Sequence, residues 1–217
     1  VDADMDTRFD NRFLDLRKPN IQSIFMIRST ILNAAREVFL EEDFVEIQTP
    51  KIVATATEGG TALFEMKYFD KKAYLNQSPQ LFKQTMMATG LDRVFEIGPA
   101  FRAEEHDTIR HLNEYTSIDC EMAWGELEDS LEILEKVVQR SYSNVLNNNY
   151  MDLEAIDQHI VSPERPFPRL KYSCIVDKLA AKGIEVVDEE TGKKRVLEWG
   201  DDIPLEGFKE IAKDRPS

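Results

Sequence analysis

Ile24, Ile27, Ile31, Ala35 and Val38 recur at three-to-four spacing, so the pattern predicts an amphipathic helix over 21–41, opened by Pro19 and Asn20. Leu127, Leu131, Leu134, Val138 and Val145 repeat the period and predict a second long helix ending near 147. Between them the period changes. Phe44-Val45-Glu46-Ile47 reads as a short strand that stops at Thr49-Pro50, because proline cannot donate to a ladder. Residues 53–62 are small and Gly-bearing and read as a loop. Phe64–Phe69 and Ala73–Asn76 predict a hairpin about Asp70-Lys71-Lys72. Ser78 as N-cap and Pro79 in the first turn then open a helix that Gly90 closes. Towards the end, a helix near 173–182 and a hairpin across Glu189–Gly192 are expected. The charged first 18 residues read as an arm, giving an expected organisation of arm 1–20, main domain 21–172 and appended segment 173–217.

The stretch Val94–Gly125 carries the strongest pattern. Alternate residues of a strand share a face. Glu96, Arg102 and Glu104 fall on one side of the first strand, with Phe95, Ile97 and Phe101 on the other. In the second, Tyr115, Ser117, Asp119 and Glu121 oppose Ile118, Cys120 and Met122. An Arg, several acids and an aromatic on one side of paired strands suit a ligand that carries phosphate and a ring. Strands that come in hairpins, interspersed with helices, predict an α+β fold on an antiparallel sheet rather than a doubly wound parallel one. Neither common phosphate loop, G-x-G-x-x-G or G-x-x-x-x-G-K-[ST], occurs.

Composition narrows the function classes. The 217 residues suffice for one good core, and 42% apolar with 31% charged residues is ordinary for a globular protein. A net charge of −14 argues against broad binding of a phosphate backbone by this chain alone, while leaving room for a local basic patch. No apolar run is long enough to span a bilayer. Cys120 and Cys174 have no C-x-x-C partner, which fits a reducing cytoplasm better than a disulfide framework or a zinc site.

Three segments, FVEIQTPKI, LNQSPQLFKQ and FRAEEHDTIRHLNEYTSIDCEMA, resemble the catalytic domain of the class II aminoacyl-tRNA synthetases. The first is similar to motif 1, the last to motif 2 with its F-R-x-E pattern, and the wording is nearest to the aspartyl group of archaeal and eukaryotic type. The resemblance implies a class II antiparallel sheet flanked by helices, ATP with Mg²⁺, L-aspartate and tRNA as ligands, a cytoplasmic location, no membrane association, and a homodimer formed through the 21–41 helix and Pro50. It assigns Arg102 to the α-phosphate and the attacking carboxylate, the catalytic role. Glu104, Arg110, His111, Leu112 and Tyr115 are assigned to ATP, with Glu104 on the adenine amino group and Tyr115 under the ring. Glu58, Ser78, Gln80, Lys83 and Asp119 are assigned to aspartate. Gln80 and Lys83, three apart, share a helix face. An ammonium at Lys83 favours aspartate over asparagine, since the neutral amide would leave it unpaired. Glu121 is an alternative contact for Mg²⁺, but no metal ligand set is assigned.

The sequence departs from the family in having no motif 3 G-x-G-x-x-R segment and no N-terminal anticodon-binding barrel. RFLDLR resembles the hinge that follows such a barrel, so the chain is expected to be the first part of a catalytic domain, inactive alone. Two other readings fit the same residues. One is a paralog that uses aspartyl-adenylate without tRNA, for example to make asparagine. The other is a synthetase-derived domain without catalysis.

Overall fold

The computed structural model describes residues 3–55, 63–103, 112–188 and 192–213. The chain divides into two compact units, 1–162 and 163–217. The sequence pattern had placed that division near 172–173.

The first unit opens with α1 (Met5–Asp10) and α2 (Arg12–Asp15), so the expected arm is helical. Asp4 caps α1 by accepting the Thr7 N–H at 2.7 Å. Asp15 is buried and takes three cations, Arg8 at 2.9 Å, Arg12 at 2.7 Å and Lys18 at 3.0 Å. Helix α3 (Pro19–Glu41) follows, with proline at its start as expected. Its second half buries Ala34, Ala35, Val38 and Phe39, whereas Ile24, Phe25 and Met26 in its first half are exposed.

Two three-stranded sheets follow. In the first, β1 (Val45–Glu46), β5 (Arg93–Phe101) and β6 (Glu114–Met122) lie in that order. β5 and β6 pair antiparallel over nine residues, from Arg93 opposite Met122 to Phe101 opposite Glu114. β1 runs parallel to β5, so this sheet is mixed where the sequence pattern predicted an antiparallel one. A parallel pair needs a long crossover, and residues 47–92 supply it. The second sheet has β2 (Ile52–Val53), β4 (Lys71–Leu75) and β3 (Glu65–Tyr68) in that order, all antiparallel. Its hairpin turns at Phe69-Asp70 rather than about Asp70–Lys72, with Phe69 in the left-handed region at φ 56°.

Helix α4 spans Gln80–Met87. Pro79, not Ser78, occupies its N-cap position, yet the Ser78 hydroxyl still accepts the Gln80 N–H at 3.0 Å. Gly90 stops the helical path with φ 87°, a conformation that glycine adopts without a Cβ penalty. Helix α5 (Leu127–Asn148) matches its prediction within a residue, and a short α6 (Tyr150–Ala155) that periodicity did not reveal follows Asn149.

The core forms where α3, α5 and the apolar side of β5–β6 meet. Ala35, Phe39, Phe44, Phe95 and Ile133 are its buried centre, with Ile97, Met122 and Val137 packed against it. Phe39 stacks on Phe95 with ring centroids 4.8 Å apart. Ion pairs from Lys136 to Glu42 (2.6 Å) and from Arg140 to Glu41 (2.7 Å) tie α5 to the end of α3. Arg28 of α3 also donates to the Thr116 hydroxyl of β6 at 2.6 Å.

The second unit contains α7 (Tyr172–Ala181), the antiparallel β7 (Glu185–Val187) and β8 (Lys194–Val196), and α8 (Leu205–Lys213). Val176, Leu179 and Leu197 form its centre, and Arg195 is clamped by Asp201 at 2.6 Å and Asp188 at 3.2 Å. The pairing of β7 with β8 agrees with the expected hairpin.

Truncating Phe95 to alanine removes the stacked ring at the middle of the core and is expected to cost about 3–5 kcal/mol in urea unfolding. The Asp15 carboxyl is drawn from its ordinary 3.8 to about 2, first by the Arg8 hydrogen bond and then by Lys18, against the opposing effect of burial. A depressed folded-state value means that the Asp15 contribution is complete above about pH 4 and fades as pH falls through about 2. Stability curves of wild type and Asp15→Asn should therefore be separated at pH 6 and converge near pH 2; parallel curves would refute this role.

Candidate functional site

The nine-residue ladder sets the geometry of the site. Residues opposite each other in an antiparallel pair project to the same side. Glu96 lies opposite Asp119, Gly98 opposite Ser117, and Ala100 opposite Tyr115. With Glu121 they form one side of the sheet, while Phe95 and Ile97 turn into the core. The predicted division of charge and hydrophobicity between the two faces therefore holds for the described residues. Gly98 and Ala100 add almost no bulk on the polar side, and Ala100 is buried there.

Helix α4 covers one end of this face. Lys83 is its one buried residue, with a side chain 3% exposed. Its ammonium donates to Asp119 Oδ1 at 3.1 Å and to the Cys120 carbonyl at 3.1 Å, and lies 3.4 Å from Glu121 Oε2. Gln80, one turn earlier, donates to the same Glu121 oxygen at 3.3 Å. The Ser117 hydroxyl donates to the other oxygen of Asp119. The expected Q-x-x-K pair thus converges on the predicted strand face, although Lys83 here meets carboxylates of the protein itself. A buried ammonium needs such partners. Ser78 is buried at the start of the same helix.

At the other end of the face, the Arg102 guanidinium lies over the Tyr115 ring at 5.8 Å, and the Arg102 N–H donates to the Asn113 carbonyl at 3.0 Å. Leu112 is 64% exposed. Glu58, Glu104, Arg110 and His111 lie outside the described residues.

Sequence reasoning missed the polar cluster beneath the face. Glu96 is 1% exposed and accepts from the Thr49 N–H (3.0 Å), the Thr49 hydroxyl (2.7 Å) and Lys51 Nζ (2.8 Å). Asn76, Gln77 and Ser78 form a run of buried polar residues. The clue in the sequence was Asn-Gln-Ser between a strand and a helix, polar where the chain has no room to be exposed. The Cys120 thiol is pushed up by burial and by the nearby Asp119 and Glu121 carboxylates, despite Lys83, and Cys120 is a free cysteine. Among the described residues no group of three or more His, Cys, Asp or Glu side chains is placed to hold a metal ion.

Comparison with known proteins shows the family. The family model for tRNA synthetases class II (D, K and N) matches residues 4–210. An aspartate–tRNA(Asp/Asn) ligase of Methanococcus aeolicus is 53% identical over 203 residues, covering 94% of this chain and 44% of that protein. An aspartate–tRNA(Asp) ligase of Pyrococcus abyssi is 50% identical over 214 residues, covering 98% of this chain and 46% of that protein. Among solved structures, asparaginyl-tRNA synthetase from Pyrococcus horikoshii with asparaginyl-adenylate is similar at a TM-score of 0.85 and 33% identity, over 98% of this chain and 47% of that one. Aspartyl-tRNA synthetase from Entamoeba histolytica is similar at a TM-score of 0.75 and 31% identity, over 99% of this chain and 40% of that one. The chain therefore spans under half the length of these relatives.

Replacing Lys83 with methionine leaves Asp119 and Glu121 side by side without their cation. The expected cost is about 1–3 kcal/mol in urea unfolding at neutral pH. An unchanged midpoint would show that the ion pairs contribute nothing to the fold.

Proposed function

The chain belongs to the class II tRNA synthetases of the D, K and N group, and from that membership we propose that the protein carrying it activates L-aspartate with ATP and transfers the aspartyl group to tRNA. The observation that carries the reading is Lys83, a buried ammonium on the ligand face with Asp119 and Glu121 as its partners. An aspartate ligand brings two carboxylates and one ammonium. Its side-chain carboxylate takes Lys83, while its α-ammonium takes Asp119, so both halves of the existing ion pair find new partners. Asparagine has a neutral amide in place of the side-chain carboxylate and would strand the Lys83 charge in a buried place.

The α-carboxylate of aspartate attacks the α-phosphorus of ATP. An acyl–phosphate bond forms, the bond to the β-phosphate bridging oxygen breaks, and pyrophosphate leaves. Such an in-line displacement depends on positioning and on stabilising charge rather than on a nucleophilic side chain. Arg102 is the group that spans both anions, and Tyr115 beneath it supplies the flat surface for adenine. Gln80 and Ser78 orient the amino acid. Glu58 is assigned to the ammonium side, and Glu104, Arg110, His111 and Leu112 to the nucleotide, on the motif resemblance. Mg²⁺ enters this reading as the counter-ion of the ATP phosphates, with no ligand set assigned to it.

The exposed Ile24, Phe25 and Met26 on α3 support a homodimer through that helix and the segment ending at Pro50. No helix among the described residues is long and apolar enough to cross a membrane, and a cytoplasmic location is part of the proposal.

ATP–pyrophosphate exchange by the full-length protein tests the reading. Aspartate should support exchange, asparagine should not, and Lys83→Ala and Arg102→Ala should each lower aspartate-dependent kcat/KM by about 10²–10³-fold. Exchange with aspartate but no charging of tRNA would favour the paralog that uses the adenylate otherwise. No exchange with either amino acid would favour a domain without catalysis.

A further inference from the structure

Glu96 sits at the junction of three chain segments. From the polar side of β5 it receives both the main chain and the side chain of Thr49, and the ammonium of Lys51. The Thr49–Lys51 segment is held from its other side by Asn76, whose side-chain amide donates to the Pro50 carbonyl at 3.0 Å and whose N–H donates to the Lys51 carbonyl at 2.9 Å. The Asn76 carbonyl in turn accepts the Phe101 N–H at 3.0 Å, which returns the path to β5. Asn76 leads through buried Gln77 and Ser78 into α4, which carries Gln80 and Lys83. Lys83 closes the ring on Asp119, the register partner of Glu96.

Charge is distributed around this ring in a particular way. Two ammonium groups, Lys51 and Lys83, serve three carboxylates, Glu96, Asp119 and Glu121. Glu96 holds Lys51 at 2.8 Å, and the Lys51 ammonium donates also to the Thr49 hydroxyl at 3.1 Å. Lys51 is thus held on Glu96, while Lys83 is the cation that Asp119 and Glu121 meet among the described residues.

On the aspartate-activating reading above, we propose that Glu96 is a positioning residue for amino-acid recognition: it fixes the Thr49–Lys51 segment and, through Asn76, sets the depth at which α4 presents Gln80 and Lys83. Loss of the Glu96 charge frees Lys51 to compete for Asp119 and loosens the seat of residues 76–83. The amino-acid subsite suffers, whereas the nucleotide end, built on Arg102 and Tyr115, does not.

The test is steady-state ATP–pyrophosphate exchange by the full-length protein with Glu96→Gln, Lys51→Met, the double variant and Thr49→Val. Glu96→Gln is expected to raise the KM for aspartate about 10- to 100-fold, the range typical of groups that orient a ligand-binding residue, and to leave the KM for ATP within about twofold. The double variant should be no worse than the worse single one, because both remove one interaction. Thr49→Val deletes a single hydroxyl, keeps the backbone donor, and should give a smaller change of the same selectivity if Glu96→Gln fails to fold. A normal aspartate KM in folded Glu96→Gln or Thr49→Val, or equal losses toward aspartate and ATP, would overturn the proposal. If the wild type shows no aspartate-dependent exchange, it is the activity reading that has failed. The positioning role is then decided by the ¹⁵N resonance of the Lys83 ammonium, which should move in Glu96→Gln and whose constancy would refute it.

Discussion

Nine consecutive pairs between β5 and β6 force every side chain of the hairpin to one side of the sheet or the other, and the first unit is organised around that division. Phe95 is sent into the core, where Phe39 stacks on it, and its neighbour Glu96 is sent to the opposite side. A slip of one residue would put Glu96 among Phe39, Phe44 and Ile133 and Phe95 among carboxylates, so the core energy protects the register of the site. The polar side chains of the face are therefore positioned by apolar contacts on the other side of the sheet.

The most deeply buried charges of the polar side are matched within the protein. Lys83 and Glu96 are among the most deeply buried residues of the unit, and each is surrounded by partners of the opposite kind. Buried ions are tolerated only on these terms, and an ion pair in a protein interior is weak evidence of stability but good evidence of a defined arrangement. That arrangement holds α4 by its inner face and leaves Arg102 and Tyr115 at the far end in contact with each other.

Much of this was legible in the chain. Helices α3 and α5 were set by three-to-four spacing, α4 by proline and glycine punctuation, and the two faces of β5–β6 by strict alternation. Ser78, Gln80, Lys83, Asp119, Arg102 and Tyr115 all come from motif resemblance, and the described structure brings Gln80, Lys83 and Asp119 together at one end of the face and Arg102 with Tyr115 at the other. Less was legible where the deciding interaction is remote in sequence. The parallel placement of β1 depends on a crossover of more than forty residues, which no local pattern encodes. Helices α1 and α2 are short, and α1 buries none of its residues, so they carry no hydrophobic period; the buried Asp15 and its cations organise them. The Glu96 cluster joins residues 49, 51 and 96 and reads in the sequence as three unrelated polar positions.

Gly98 shows how far this ring reaches. Its backbone lies outside the left-handed region, so no conformational need reserves the position for glycine. A Cβ there would come within 3.4 Å of Glu96 Oε1, with the Glu96 chain close behind. Alanine fits at ordinary contact distance, but a branched side chain would press the carboxylate away from Thr49 and Lys51. In the language of molecular evolution, positions 96 and 98 form one epistatic unit. A branched side chain can enter at position 98 only after the acid at 96 has been given up, so change at these two positions has a prescribed order of steps.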